Sequence, residues 1–151
     1  MAAKLPSPEQ VFRHVPCFCG VLMLASRSVA RVYDEEMRGL GVEPTQHMMM
    51  SVLRALGPMT LGQLGERVSV DKTTISRNVK LLVGKGWVDV ERGQDGREQI
   101  VTLMSAGARK LAEAKPHWER AQARMRAALP AGGFESMRKQ LPELAIAALS
   151  A

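Results

Sequence analysis

Cysteine is nearly absent from this chain: two residues in 151, Cys17 and Cys19, one position apart. That excludes a disulfide scaffold, and the pair reads as thiols of a reducing compartment. No run of about 18 apolar residues occurs, so no helical membrane span is expected. The first residues, MAAKLPSPEQVFRH, carry Pro and charge where a signal peptide has an uninterrupted apolar core. A cytoplasmic protein with no membrane partner is the expectation. Histidine is confined to three scattered positions, His14, His47 and His117. No G-x-S-x-G, H-E-x-x-H or P-loop pattern is present, and Gly84-Lys85-Gly86 is a helix exit without the loop of a phosphate cradle. Neither an enzyme nor a cofactor is expected. Internal repeats and low-complexity segments are missing too. Acidic residues are in deficit, 15 against 21 Lys and Arg, which favours a polyanionic partner without proving one.

What is present concentrates in residues 70–103, VDKTTISRNVKLLVGKGWVDVERGQDGREQIVTL. Asp71 is a residue type that caps helices by accepting bonds from free backbone N–H groups. Val70 and Ile75 stand at the spacing of a hydrophobic staple around it. Ile75, Val79 and Leu82 then recur at helical spacing, so one side of this helix is buried. The other side carries Lys72, Thr73, Ser76, Arg77 and Lys80, with Asp71 the only acid among them. Residues 87–92 and 98–103 read as two Val- and Ile-rich strands joined by a Gly- and Arg-containing turn. A helix with a polar, cationic face followed by a basic-tipped hairpin is the pattern of a winged helix-turn-helix that reads DNA.

The flanks supply apolar seams. Residues 1–15 look like an extended arm punctuated by Pro6, Pro8 and Pro16. Residues 18–40 form a helix whose stripe is Val21, Leu22, Ala25, Val29, Val32, Tyr33 and Met37. A second helix starts at Glu43-Pro44-Thr45, with Pro at a favoured first position and Glu43 as a mediocre cap. It carries Met48, Met49, Val52, Leu53 and Leu56. The third begins with the capping box Thr60-Leu61-Gly62-Gln63, and Met59 with Leu64 supplies its staple. After the hairpin, Ser105 caps a long helix to about residue 129. Its seam is Leu111, Ala114, Trp118, Ala121, Met125 and Ala128, close to coiled-coil spacing. A last helix, residues 134–149, carries Met137, Leu141, Leu144, Ala145 and Leu149, with Pro142 expected to kink or split it.

Through TLGQLGERVSVDKTTISRNVKLLVGKGWVDV and DGREQIVTL, over roughly residues 15–151, the chain resembles the MarR family of bacterial transcription factors. The resemblance implies a mainly α fold with a small β-hairpin wing. Residues 43–104 would form a winged helix-turn-helix DNA-binding domain. Residues 1–42 (arm and helix) and 105–151 would dimerise, the whole making one structural domain. It also implies a homodimer that represses promoters until a small molecule or oxidant releases it. Three positions depart from the family pattern. Gly65 stands where Ala is usual, at about 1 kcal/mol of helix propensity. Met104 replaces a capping Thr, which moves the expected cap to Ser105. Ser69 replaces a turn Gly and must adopt the turn with a Cβ.

The expected DNA-binding residues are Thr60, Lys72, Thr73, Thr74, Ser76, Arg77, Lys80, Arg92, Asp95 and Arg97. Thr73, Ser76 and Arg77 point to base edges if Ile75 and Val79 point inward, and Arg77 fits a guanine edge or a phosphate. Lys72 and Lys80 suit phosphates, which fix register without reading sequence. Arg97 at the hairpin tip suits a narrow minor groove, with Asp95 orienting it and Arg92 as a second backbone contact. The plainer alternative is a solvated helix face beside an ordinary hairpin turn, in a winged module used for protein contacts.

Two further groupings stand apart. His14, Cys17 and Cys19 are soft donors that could sense thiol chemistry or a metal. They number at most three and lack the second pair of a structural zinc site, so no resident metal is expected. Ordinary reduced cysteines on an inter-subunit helix are the simpler reading, and an ArsR-type sensor would carry its cysteines on the DNA motif. Family resemblance further places an effector pocket near Arg27, His47, Met50 and Trp118, although a Met stripe on a helix is more often core. The sequence thus leads to a dimeric regulator on a pseudo-palindromic duplex, its half-sites about 10 bp apart. A Cys17/Cys19 sensor and a protein-interaction module stand as alternatives.

Overall fold

The computed structural model describes residues 7–93 and 96–150. Asp95, one of the expected wing residues, lies outside them. The chain divides into two compact units, Glu36–Arg120 and a second made of Met1–Glu35 with Ala121–Ala151. Two helices, α2 (Phe18–Met37) and α6 (Ser105–Ala128), run through both. No described helix is long and apolar enough to cross a membrane.

The unit Glu36–Arg120 holds a 3-10 turn (Arg38–Leu40), α3 (Pro44–Leu56), β1 (Met59–Thr60), α4 (Leu61–Val68), α5 (Lys72–Gly84), β2 (Val88–Arg92), β3 (Gln99–Leu103) and the first part of α6. Its core is drawn from every one of the longer elements. Met37, Met49, Met50, Leu53, Leu64, Ile75, Leu82, Val88, Val101 and Leu111 are each at most 2% exposed. Met49, Leu53, Leu64, Ile75 and Leu82 are among the positions read from helical spacing, whereas Met48 and Leu56 on α3 are 41% and 63% exposed and Met50 packs in their place.

The expected hairpin is present and acquires a third strand. The sheet is antiparallel in the order β1-β3-β2. Val88 faces Leu103 and Arg92 faces Gln99, while Met59 faces Val101 and Thr60 faces Ile100. Two residues cannot show a period, so β1 carries no sequence signal of its own. It forms because Thr60 is extended as the N-cap of α4, at φ −67° and ψ 154°, and an extended residue can pair.

Between α4 and α5 the chain turns at Ser69, at φ 53° and ψ 45°. It is the one non-glycine at positive φ among the described residues. Its N–H donates to the Glu66 carbonyl at 3.2 Å and that of Val70 to Gly65 at 3.1 Å. The turn thus keeps the bonding of a left-handed helix end although a Cβ there is disfavoured.

Ser105 is the first helical residue of α6, not its cap. Met104 occupies the cap position: its carbonyl accepts from Ala108 N–H at 3.0 Å, and its own N–H donates to Trp87 O at 3.0 Å. The bond to Trp87 ties Met104 to the sheet, so the helix starts at Ser105, one residue earlier than a capping Ser105 would allow. Gly107, in the first turn, is buried and closely approached by that same Trp87 carbonyl. Pro116 lies within α6.

The second unit contains α1 (Pro8–His14), α2 as far as Glu35, the end of α6 and α7 (Gly133–Leu149). The expected extended arm is instead a short helix from Pro8. Ser7 Oγ accepts from Gln10 N–H at 3.3 Å, and Gln10 Oε1 accepts from Ser7 N–H at 2.8 Å. Pro8 is at the first helical position, where the missing N–H costs nothing; it opens the helix it was expected to prevent. Pro142 is carried inside α7 without splitting it.

The expected α6 seam is partly closed by the chain itself, since Leu111, Ala114 and Ala121 are at most 2% exposed. In the second unit, uncovered apolar surface lies on α2 and α7. Phe18, Val21, Leu22, Met23 and Val29 on α2, with Met137, Leu141, Ile146 and Leu149 on α7, are all exposed, Phe18 at 70% and Leu149 at 87%. Ion pairs of 3.0 Å, Arg124 with Glu35 and Arg126 with Glu135, lie within the same unit.

Candidate nucleic-acid interface

The N-terminus of α5 is built by Asp71. Its Oδ1 accepts from the N–H groups of Thr73 and Thr74, both at 2.9 Å, and its Oδ2 from the Thr74 hydroxyl at 2.6 Å. These bonds, the Thr74 hydroxyl first and the backbone after it, hold the Asp71 carboxyl below the usual aspartate range. Ile75, Asn78, Val79 and Leu82 form the buried side. The opposite side leaves Lys72, Thr73, Ser76, Arg77 and Lys80 exposed.

Within that face the polar groups are not equivalent. Ser76 Oγ donates to the Lys72 carbonyl at 2.8 Å, so outward it has only lone pairs to offer and suits a donor such as an amino group. Thr74 is half-buried, its hydroxyl is given to Asp71, and its carbonyl accepts from Asn78 Nδ2 at 3.0 Å. Thr60 is similarly engaged: Oγ1 accepts from Gln63 N–H at 3.1 Å, and Gln63 Oε1 from Thr60 N–H at 2.9 Å. Both threonines spend their side chains on helix starts. Arg77, Lys72 and Lys80 supply the positive charge of the face.

At the wing, Arg92 is exposed at the end of β2, opposite Gln99. Gly93 N–H donates to Glu98 O and Gly96 N–H to Gly93 O, both at 2.9 Å, with Gly96 at φ 69°. Arg97 follows, also exposed. The expected pairing of Arg97 with Asp95 falls outside the described residues.

Two contributors carry no signal in the motif as first read. Asn78 completes the 75–78–79–82 spacing of the buried side, and only its polarity hides it in a search for apolar positions. Lys85, at the C-cap of α5, donates to the Gly41 carbonyl and, at 3.3 Å, to Gln46 Oε1. Its ammonium also lies 4.6 Å from the centre of the Trp87 ring, which Lys110 approaches at 5.5 Å.

The effector residues read from resemblance are divided between the units. Arg27 is exposed on the α2 part of the helical unit, and His47, Met50 and Trp118 belong to the winged unit. Met50 is 0% exposed and packs as core. His47 is half-buried; burial first, and then the Arg54 charge, lowers its pKa, which keeps the ring neutral near pH 7. Cys17 and Cys19 are free and exposed at the start of α2. His14 Nδ1 is 2.6 Å from the Gln10 carbonyl. Among the described residues no three or more His, Cys, Asp or Glu side chains gather to hold a metal, so His14, Cys17 and Cys19 are not brought together as one ligand set.

Known proteins share this arrangement. Residues 40–98 match the model of the MarR family. The HTH-type transcriptional regulator YwoH of Bacillus subtilis is 30% identical over 89 residues, 59% of this chain and 65% of that protein. The chain therefore aligns with slightly less than two thirds of that relative's length. The Mycobacterium tuberculosis transcriptional regulator MosR, in complex with DNA, is 29% identical at a TM-score of 0.77, covering 89% of this chain and 97% of MosR. A probable transcriptional regulator from Pseudomonas aeruginosa is 26% identical at a TM-score of 0.75, covering 85% and 97%. With its capped α5, three-stranded wing and flanking helices, the chain has the fold of the winged helix-turn-helix transcriptional regulators of the MarR family, whose model its residues 40–98 match.

Proposed function

We propose that the protein is a sequence-specific DNA-binding repressor that works as a homodimer. The observation that carries this reading is the solvent face of α5. Thr73, Ser76 and Arg77 are exposed beside Lys72 and Lys80, on a helix fixed at its start by Asp71. A helix of that width fits the major groove with its N-terminal half toward base edges. Arg97 and Arg92 on the wing add contacts to the minor groove and backbone. Thr60 and Thr74 touch the backbone through whatever bonding capacity their caps leave. That a relative of 29% identity is a transcriptional regulator in complex with DNA supports the same reading.

The homodimer rests on the apolar surface of α2 and α7, which one chain leaves in water. A two-fold pair presents two recognition helices to successive major grooves, so the site is a pseudo-palindrome with half-sites about 10 bp apart. Residues 1–42 and 105–151 serve dimerisation and residues 43–104 serve DNA. A small-molecule effector would release the DNA by favouring a different spacing of the two winged units of the dimer. The second reading, thiol sensing at Cys17 and Cys19, is favoured by both thiols being free and exposed.

The test is a salt titration on a duplex selected from a randomised pool by the wild-type protein. Affinity falling steeply with salt, as several neutralised phosphates require, supports the reading; a flat, weak response removes it.

A further inference from the structure

Lys85 sits where three parts of the winged unit meet. It is the C-cap of α5, and its backbone N–H donates to Leu81 O at 3.1 Å. Its side chain crosses to the start of α3, donating to the Gly41 carbonyl and to Gln46 Oε1. Gln46 is 2% exposed, and the same oxygen accepts from Glu43 N–H at 3.4 Å. The ammonium is therefore plugged into the cap of α3. It also lies over Trp87, the residue just before β2. The Trp87 backbone in turn bonds Leu82 O through its N–H and Met104 N–H through its carbonyl, each at 3.0 Å.

DNA recognition by this unit needs two things held at once, the N-terminal half of α5 and the wing tip. Lys85 belongs to neither, yet it is bonded to the end of the first and stacked on the root of the second. A cation at a helix C-terminus also complements the helix dipole, so its placement is favourable without any phosphate. We propose that Lys85 is a positioning residue for DNA binding: its bonds to Gly41 and Gln46 and its contact with Trp87 fix the angle between recognition helix and wing. This rests on the DNA-binding reading above.

Being cationic and near the DNA motif, Lys85 would ordinarily be counted as a phosphate contact, and salt dependence separates the two roles. A lost phosphate contact reduces the slope of log K against log salt by about 0.9, whereas a lost positioning contact lowers affinity at every salt by the same factor. The experiment measures binding of wild type, Lys85→Met, Gln46→Met and the double variant to the duplex selected above, across salt concentrations. The expected result is a fall of about three- to tenfold for each single variant, on lines parallel to wild type, with the double variant no weaker than the weaker single. Gln46 is buried and reaches no phosphate, so its effect can only be transmitted. A shallower slope for Lys85→Met, unchanged affinity, or factors that multiply in the double variant would each overturn the proposal. Thermal melts accompany the titrations. If Lys85→Met does not fold, Gln46→Met decides: weaker and parallel supports the proposal, unchanged removes it. Wild-type protein that selects no duplex removes the DNA reading and this proposal together, whereas steep wild-type binding with unaffected variants removes the proposal alone.

Discussion

A methyl group on Gly107 would stand 2.2 Å from the carbonyl oxygen of Trp87 and 2.7 Å from Leu103 Cδ1. The absent side chain lets the first turn of α6 lie directly against the root of the wing. The backbone atom cannot rotate away as a side chain would. Gly107→Ala is expected to cost about 3 kcal/mol, read as a lower denaturant midpoint. Gly65 gives the opposite sign. A methyl there would lie 3.5 Å from Ile75 Cγ2 and from Val70 O, ordinary contact distances, so Gly65→Ala gains about 0.5–1 kcal/mol of helix propensity.

Asp71 makes the start of α5 acid-sensitive. Its folded-state pKa is lowered by bonds that only the carboxylate makes fully. Its contribution to stability is therefore complete above the ordinary aspartate value of 3.8. It drains away as pH falls from there through the lower folded value. Asp71→Asn keeps one accepting oxygen and no titration. The stability difference between wild type and Asp71→Asn, measured by chemical denaturation across acidic pH, should shrink as pH falls. A difference that grows toward acid would contradict the cap assignment.

Arg77 and Arg97 are expected to fail differently. Arg97→Ala should weaken binding to all duplexes alike and reduce the salt slope by about 0.9. Arg77→Ala should in addition relax preference at one base pair in each half-site, a loss of about 1–3 kcal/mol of discrimination. Selection of duplexes by each variant, followed by sequencing, tells them apart.

Charge on the exposed helical surface should separate the two chains. Leu22→Asp on α2 and Met137→Asp on α7 alter side chains that are 38% and 52% exposed in the single chain, so folding of that chain is spared. Burial of a carboxylate against its two-fold copy is not spared. Light scattering should give twice the chain mass for wild type and the chain mass for the variants, with weaker DNA binding. A wild-type monomer would remove the dimer.

For the thiols, an oxidant that releases wild-type protein from DNA should leave the double variant Cys17→Ser/Cys19→Ser bound. Identical responses of the two proteins would end the thiol reading. The free, exposed state of both sulfurs makes the comparison direct.

Local rules made much of this fold legible in the letters. Asp71, the Thr60–Gln63 box and the 75–79–82 spacing each act within about one or two helical turns, and each appears where it was read. Two local signals carry more than one meaning. Ser7-Pro8-Glu9-Gln10 spells a helix start, in which Pro8 opens the helix rather than breaking it; Ser105 has the hydroxyl of a cap, but the bond to Trp87 holds Met104 in the cap position. What could not be read is long-range. The contact of Lys85 with Gly41 spans 44 residues, the approach of Gly107 to Trp87 joins a helix to a strand root, and β1 pairs only because a cap residue happens to be extended. For the candidate site, residue types and face were legible. Not legible was which hydroxyls are already committed, and this separates Thr74 and Thr60 from Thr73.

The short strand β1 also sets where the wing can bend. Ile100 and Val101 are held on both sides, by Glu91 and Val90 and by Thr60 and Met59, whereas Gln99 is paired only with Arg92. The sheet is thus three strands wide along two rungs and two strands wide at the next, where Gln99 meets Arg92. Such a wing can follow minor grooves of different width while its root, and the recognition helix packed on that root, stay still. Amide exchange should record the same gradient, slower at Val101 than at Gln99.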